Sequence, residues 1–217
     1  MQMWIRSPRG GRALSAIALS GVIIFALAIG VLMAPYQAAM GDRISEMTCL
    51  QLAFTAERAS RLILSFAPDG QAAMAGLLIP GDLGLAWGYG LLLFGLVGLL
   101  ARRLDGGWQR AAAIAMWFPI AASVLDCIED VFLYSMVTQL IASPGAELNA
   151  AAPLLAGISA TLKYLALSVL TPGFAVAGIV QGLRVDRSSG ALVVYALLLL
   201  TCYGMVARPL QTVAACF

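Results

Sequence analysis

Long apolar runs alternate along this chain with short polar interruptions, and the length of each run is the first structural fact it offers. An α-helix rises about 1.5 Å per residue, so about 20 apolar residues cross the ~30 Å hydrocarbon core of a bilayer. Runs of about that size extend from about Ala13 to Ala34, Leu83 to Ala101, Ala111 to about Ile141, about Ala152 to Gln181, and Gly190 to Ala207. Arg6, Arg9 and Arg12 precede the first run and Ala38 and Ala39 follow it, which is also the layout of a cleaved signal. The run is longer than the roughly 7–15 apolar residues of such a signal, so it is read as a retained helix. Pro119 and Pro172–Gly173 mark expected kinks in the third and fourth runs. The pattern predicts an all-α polytopic membrane bundle of about five transmembrane helices, with residues 1–217 forming one membrane domain.

Positive residues orient such a bundle, because cytoplasmic segments carry the excess of Lys and Arg. With the N-terminus inside, Arg6, Arg9, Arg12, Arg102, Arg103, Arg110, Arg184 and Arg187 fall on the inner side. Only Arg43, Arg58, Arg61 and Arg208 fall outside. The expected orientation is N-terminus in the cytoplasm and C-terminus outside. Short loops and richness in Ala, Leu and Gly point to a bacterial inner (plasma) membrane.

The outer connection from Pro35 to Gly81 contains a second kind of pattern. Between Ser45 and Phe66, apolar Met47, Leu50, Phe54, Ile63 and Phe66 recur at roughly helical spacing among Gln51, Thr55, Arg58 and Arg61. An outer amphipathic helix over 45–66 is predicted, with Thr48 and Gln51 as a capping box and Glu57–Arg61 as an i,i+4 pair. Pro68–Asp69–Gly70 is expected to end it, and Pro80–Gly81–Asp82 to open the second span.

Composition narrows the function classes. Hydrophobic residues make up 61% of the chain and charged ones 11%, against about 25% charged in soluble domains. The net charge is +2 and no basic stripe with interleaved aromatics occurs, so nucleic acid is not an expected partner. With no histidine, the usual haem ligand and neutral-pH acid–base are missing. No cofactor is predicted and haem is disfavoured, whereas acids leave Mg²⁺ or another cation open. The four cysteines form no CxxC pair; Cys127 and Cys202 read as packing residues, and Cys49 and Cys216 are candidates to meet outside. No GxSxG, Walker, HExxH or dinucleotide-binding pattern is present, which leans against an enzyme.

The chemistry-bearing residues are charges inside the apolar runs. Asp126, Glu129 and Asp130 stand at i, i+3 and i+4, on one side of the third span. Counted from Arg110 at about 1.5 Å per residue, they lie about 24–30 Å above the inner end, near the outer boundary. The same count puts Asp82, Lys163 and Arg208 at about 27–29 Å above the inner ends of their own helices. Asp82, the acidic triplet, Lys163 and Arg208 therefore form one predicted polar layer. The plainer reading is that these are span ends meeting water, with Lys163 and Arg208 snorkelling. Against it, Val131 to Ile141 and Ala152 to Leu162 continue apolar beyond the charges and need a cover. The 45–66 segment is the expected cover, with Glu57, Arg58 and Arg61 above the layer, and Lys163 is expected to pair with Asp126 or Glu129.

Three functions remain open on sequence. The first is an outward-facing acidic and basic pocket that binds or transports a cation, a proton or a charged lipid headgroup. The second is a non-catalytic accessory or assembly subunit whose polar layer is structural. The third is a membrane-embedded enzyme acting on lipid headgroups. Gly84 and Gly88 form a GxxxG suited to close helix packing, either within the chain or against a membrane partner or second copy.

Overall fold

The computed structural model describes residues 2–216, leaving aside the side chains of Gln2, Ile44 and residues 207–215. The described residues are helical and contain no strand: α1 (Gln2–Arg6), α2 (Pro8–Arg43), α3 (Glu46–Gln51), α4 (Ala56–Leu64), α5 (Pro68–Ala101), α6 (Gly106–Ala142), α7 (Ala151–Val185) and α8 (Ser189–Ala215). Five helices are long and apolar enough to cross a membrane: α2, α5, α6, α7 and, in α8, Ser189–Val206. Large apolar side chains on them, among them Ile23, Val131, Ile158 and Leu200, remain exposed.

Two helices run further than the hydrophobic pattern predicts. Pro35 does not end α2, because it stands in the first turn of the segment Ala34–Met40, which follows a wide turn over Ala28–Met33. A proline in a first turn leaves no intrahelical hydrogen bond unmade. Pro68 opens α5 for the same reason. Within α5, Ile79 leaves the helical region (φ −134°, ψ 115°) immediately before Pro80, since a residue before proline is pushed towards extended backbone. Asp82 follows that break and precedes the regular stretch Leu83–Ala101.

The chain divides into two compact units. The first comprises Met1–Ile24, Trp87–Ser123 and Tyr164–Arg208. Its core gathers Leu14, Leu96, Leu100, Met116, Ile179 and Leu198. Here α2 and α5 approach closely: a Cβ on Gly95 would lie 2.7 Å from the Leu14 carbonyl oxygen, and one on Gly21 would lie 2.8 Å from the Gly88 carbonyl oxygen. Two arginines at the end of α5 are engaged within this unit. Arg102 donates to the Ser7 carbonyl at 2.6 Å, and Arg103 pairs with Asp186 at 2.5 Å. The Asp186 carboxyl is held below its usual range, first by the Ser188 backbone N–H and then by the Ser188 hydroxyl and Arg103.

The second unit comprises Phe25–Ala86, Val124–Lys163 and Pro209–Phe217. The predicted amphipathic helix is here two helices, α3 and α4, broken over residues 52–55. Phe54 takes a left-handed φ of 56° in that break, and its ring presses on α7, 2.6 Å from where a Cβ on Gly157 would stand. The cap of α4 is Thr55, which accepts from the Arg58 N–H at 3.3 Å, so Thr48 and Gln51 do not cap a helix. The apolar side of the segment behaves as its spacing predicts: Met47, Leu50, Ile63 and Phe66 are buried in one core with Leu133, Met136, Val137, Leu140 and Ala156. The apolar continuation of α6 past Asp130 is thus covered. Arg43 clamps this cover, with bidentate 2.7 Å contacts to Glu46, a 2.7 Å bond to the Ser65 hydroxyl, and its guanidinium 3.7 Å above the Phe66 ring. Gly84 packs against Ala28 and Leu32 of α2 within the chain.

Cys49 and Cys216 form a disulfide, while Cys127 and Cys202 remain thiols. Alkylation of the denatured, unreduced chain is expected to label two cysteines, and four after reduction. Four labels without reductant would contradict the bridge.

Candidate functional site

The second unit assembles most of the predicted polar layer. Helical spacing turns Asp126, Glu129 and Asp130 of α6 to one side, and all three are buried, Glu129 and Asp130 completely. Lys163 of α7, also buried, brings its ammonium among them. Its Nζ donates to Asp126 Oδ1 at 2.5 Å and lies 2.7 Å from Glu129 Oε2. The Glu129 contact is one of charge and proximity without hydrogen-bond geometry, because neither Glu129 oxygen has a hydrogen-bond partner among the described residues.

Asp82 joins from α5. One carboxylate oxygen each of Asp82, Asp126 and Asp130 lies within 4.8 Å of the other two. Asp82 is half-buried, whereas Asp130 has no exposed surface. Neither oxygen of Asp130 meets a donor among the described residues; its carboxylate neighbours are acceptors like itself. Two carboxylates attract each other only through a shared proton or a bound cation. Among the described residues the cluster sets four carboxylates against one ammonium, an excess of three negative charges when all are ionised.

The side chain of one further residue expected in the layer, Arg208, lies outside the described residues, and the charges expected above the layer have other partners. Glu57 and Arg61 pair with each other at 2.6 Å on the exposed face of α4, and Arg58 donates to the Cys216 carbonyl at 2.6 Å. Apolar side chains, not these charges, form the cover, since packing on α6 requires the apolar side of α4 to face inwards. Beneath that cover the acids form a tight cluster, with Asp82 at its half-buried edge. Sequence reading missed the Arg43 clamp, although Glu46 three residues on was its signal, and missed Phe54, whose left-handed backbone no glycine or asparagine announces.

The chain matches no family model, no curated protein and no solved structure.

Removing one partner of a buried ion pair strands the other and costs about 3–5 kcal/mol, whereas removing all partners is far milder. Lys163→Met is accordingly expected to lower stability by about 3–5 kcal/mol in chemical denaturation. The triple variant Lys163→Met, Asp126→Asn, Glu129→Gln is expected to regain much of that loss. A Lys163→Met protein as stable as wild type would contradict the pairing.

Proposed function

We propose that this is an integral membrane protein, N-terminus inside and C-terminus outside, whose buried acidic cluster binds and exchanges a small cation or proton with the outer side. The observation that carries the reading is Asp130, buried beside two other carboxylates and without a donor among the described residues. A buried charge without a partner is expensive and takes a counter-ion or a proton. Lys163 supplies one positive charge, and the remaining acids call for others.

Closure of the cluster favours a small ion over a lipid headgroup, and half-buried Asp82 offers the side of access. Exposed Ile23, Val131 and Leu200 suit a surrounding bilayer. The orientation rests on eight arginines inside against four outside and on the Cys49–Cys216 bridge, because disulfides persist in oxidising compartments such as the periplasm.

A ligand that binds only the folded state stabilises it, by about 2.7 kcal/mol at a concentration 100 times its Kd. The full chain in lipid nanodiscs is expected to gain thermal stability with at least one of Na⁺, K⁺, Mg²⁺ or Ca²⁺, or on acidification, and Asp130→Asn to lose most of that response. Wild type indifferent to every cation and to pH would exclude a binding role and leave the cluster as a lock between α6 and α7.

A further inference from the structure

The geometry points to a hard divalent cation, of the Mg²⁺, Ca²⁺ or Mn²⁺ class, held directly by Asp82, Asp126 and Asp130; this deepens the cation-site reading and rests on it. The three residues come from two helices, α5 and α6, and one carboxylate oxygen of each lies within 4.8 Å of those of the other two. Oxygens bound to one Ca²⁺ at about 2.3–2.6 Å lie at most about 5 Å apart, and around Mg²⁺ at about 2.0–2.1 Å at most about 4 Å apart. Three oxygens within 4.8 Å of one another can close on one such ion with small side-chain movements, smaller for Ca²⁺ than for Mg²⁺.

The donor set selects among metals. It is all carboxylate, with no histidine in the chain and no cysteine in the group, which disfavours zinc and copper and suits Mg²⁺, Ca²⁺ and Mn²⁺. Charge argues for two positive units over one. The cluster exceeds its ammonium by three negative charges, so a divalent ion leaves one, which a single proton cancels, whereas a monovalent ion leaves two. Independent support comes from Asp130, fully buried, with both oxygens lacking a donor among the described residues and one of them within 4.8 Å of oxygens of Asp82 and Asp126. Glu129 stands outside the triangle and holds Lys163 at 2.7 Å, so the ammonium keeps an anionic partner when Asp126 turns to the metal.

Mn²⁺ serves as the probe, read by electron paramagnetic resonance on the full chain in lipid nanodiscs. Wild type is expected to bind one Mn²⁺ per chain, displaced by Mg²⁺ or Ca²⁺. Loss of a group that merely supports a metal ligand weakens binding about 10–100-fold, so Asp130→Asn and Asp82→Asn, each removing a ligand, are expected to weaken it at least about tenfold. Glu57→Gln, on the exposed face of α4, should bind as wild type. Asp82 sits at the half-buried edge, so its variant keeps the test decisive if Asp130→Asn does not fold. Mn²⁺ affinity unchanged in Asp82→Asn would overturn the inference. Wild type that ignores Mn²⁺, Mg²⁺ and Ca²⁺ yet is stabilised by Na⁺, K⁺ or protons would overturn the divalent site and leave the broader reading standing. Wild type that responds to none of them overturns both.

Discussion

A carboxylate moved from water into a low-dielectric interior loses several kcal/mol of hydration, and α6 carries three of them within five residues. Lys163 is what makes the first two tolerable, at 2.5 Å from Asp126 and 2.7 Å from Glu129. Each contact joins α6 to α7, so the register of the two helices follows from the position of one ammonium. Asp130, one turn on from Asp126, receives no such help from the described residues. The contrast between two ion-paired acids and a neighbour with no donor among the described residues is what the proposed cation site rests on.

The surroundings make sense as means of keeping that cluster dry. Leu133, Met136, Val137 and Leu140 prolong α6 beyond the acids, and they are buried because Met47, Leu50, Ile63 and Phe66 pack over them. Arg43 ties the cover together through Glu46, Ser65 and the Phe66 ring. The Cys49–Cys216 bridge fixes α3 to the end of the chain, and Arg58 binds the carbonyl of the same Cys216. On α5, the break before Pro80 delivers Asp82 to the edge of the cluster. Excluding water strengthens every interaction inside, and it equally raises the cost of any charge left alone.

Much of this arrangement was legible in the residues, for two physical reasons. The i, i+3, i+4 spacing of the acids and the fixed rise of a helix brought Asp82, the triplet and Lys163 to one predicted level, and all five side chains are in ion-pair or ligand-distance contact with another member of the group. The apolar run past Asp130 required a cover, and the amphipathic spacing of 45–66 identified it. What stayed hidden depends on tertiary packing. The chain break at 52–55 follows from wedging Phe54 against Gly157, a contact between residues a hundred positions apart. Pro35 and Pro68 read as helix breakers, yet both stand in first turns, where proline is harmless. Arg58 and Arg61 read as partners for the layer from above because sequence gives their spacing but not which face turns outward, whereas the i,i+4 spacing of Glu57 and Arg61 does give their pair.

The central claim is that Asp130 takes positive charge from outside the protein, as an ion or a proton. Infrared difference spectroscopy of the full chain in nanodiscs, comparing cation-loaded with cation-free samples, addresses it directly. The account predicts a carboxylic-acid carbonyl band in the cation-free state that disappears on loading and is missing from Asp130→Asn. Spectra in which loading changes no carboxyl band, and in which Asp130→Asn matches wild type, would contradict it.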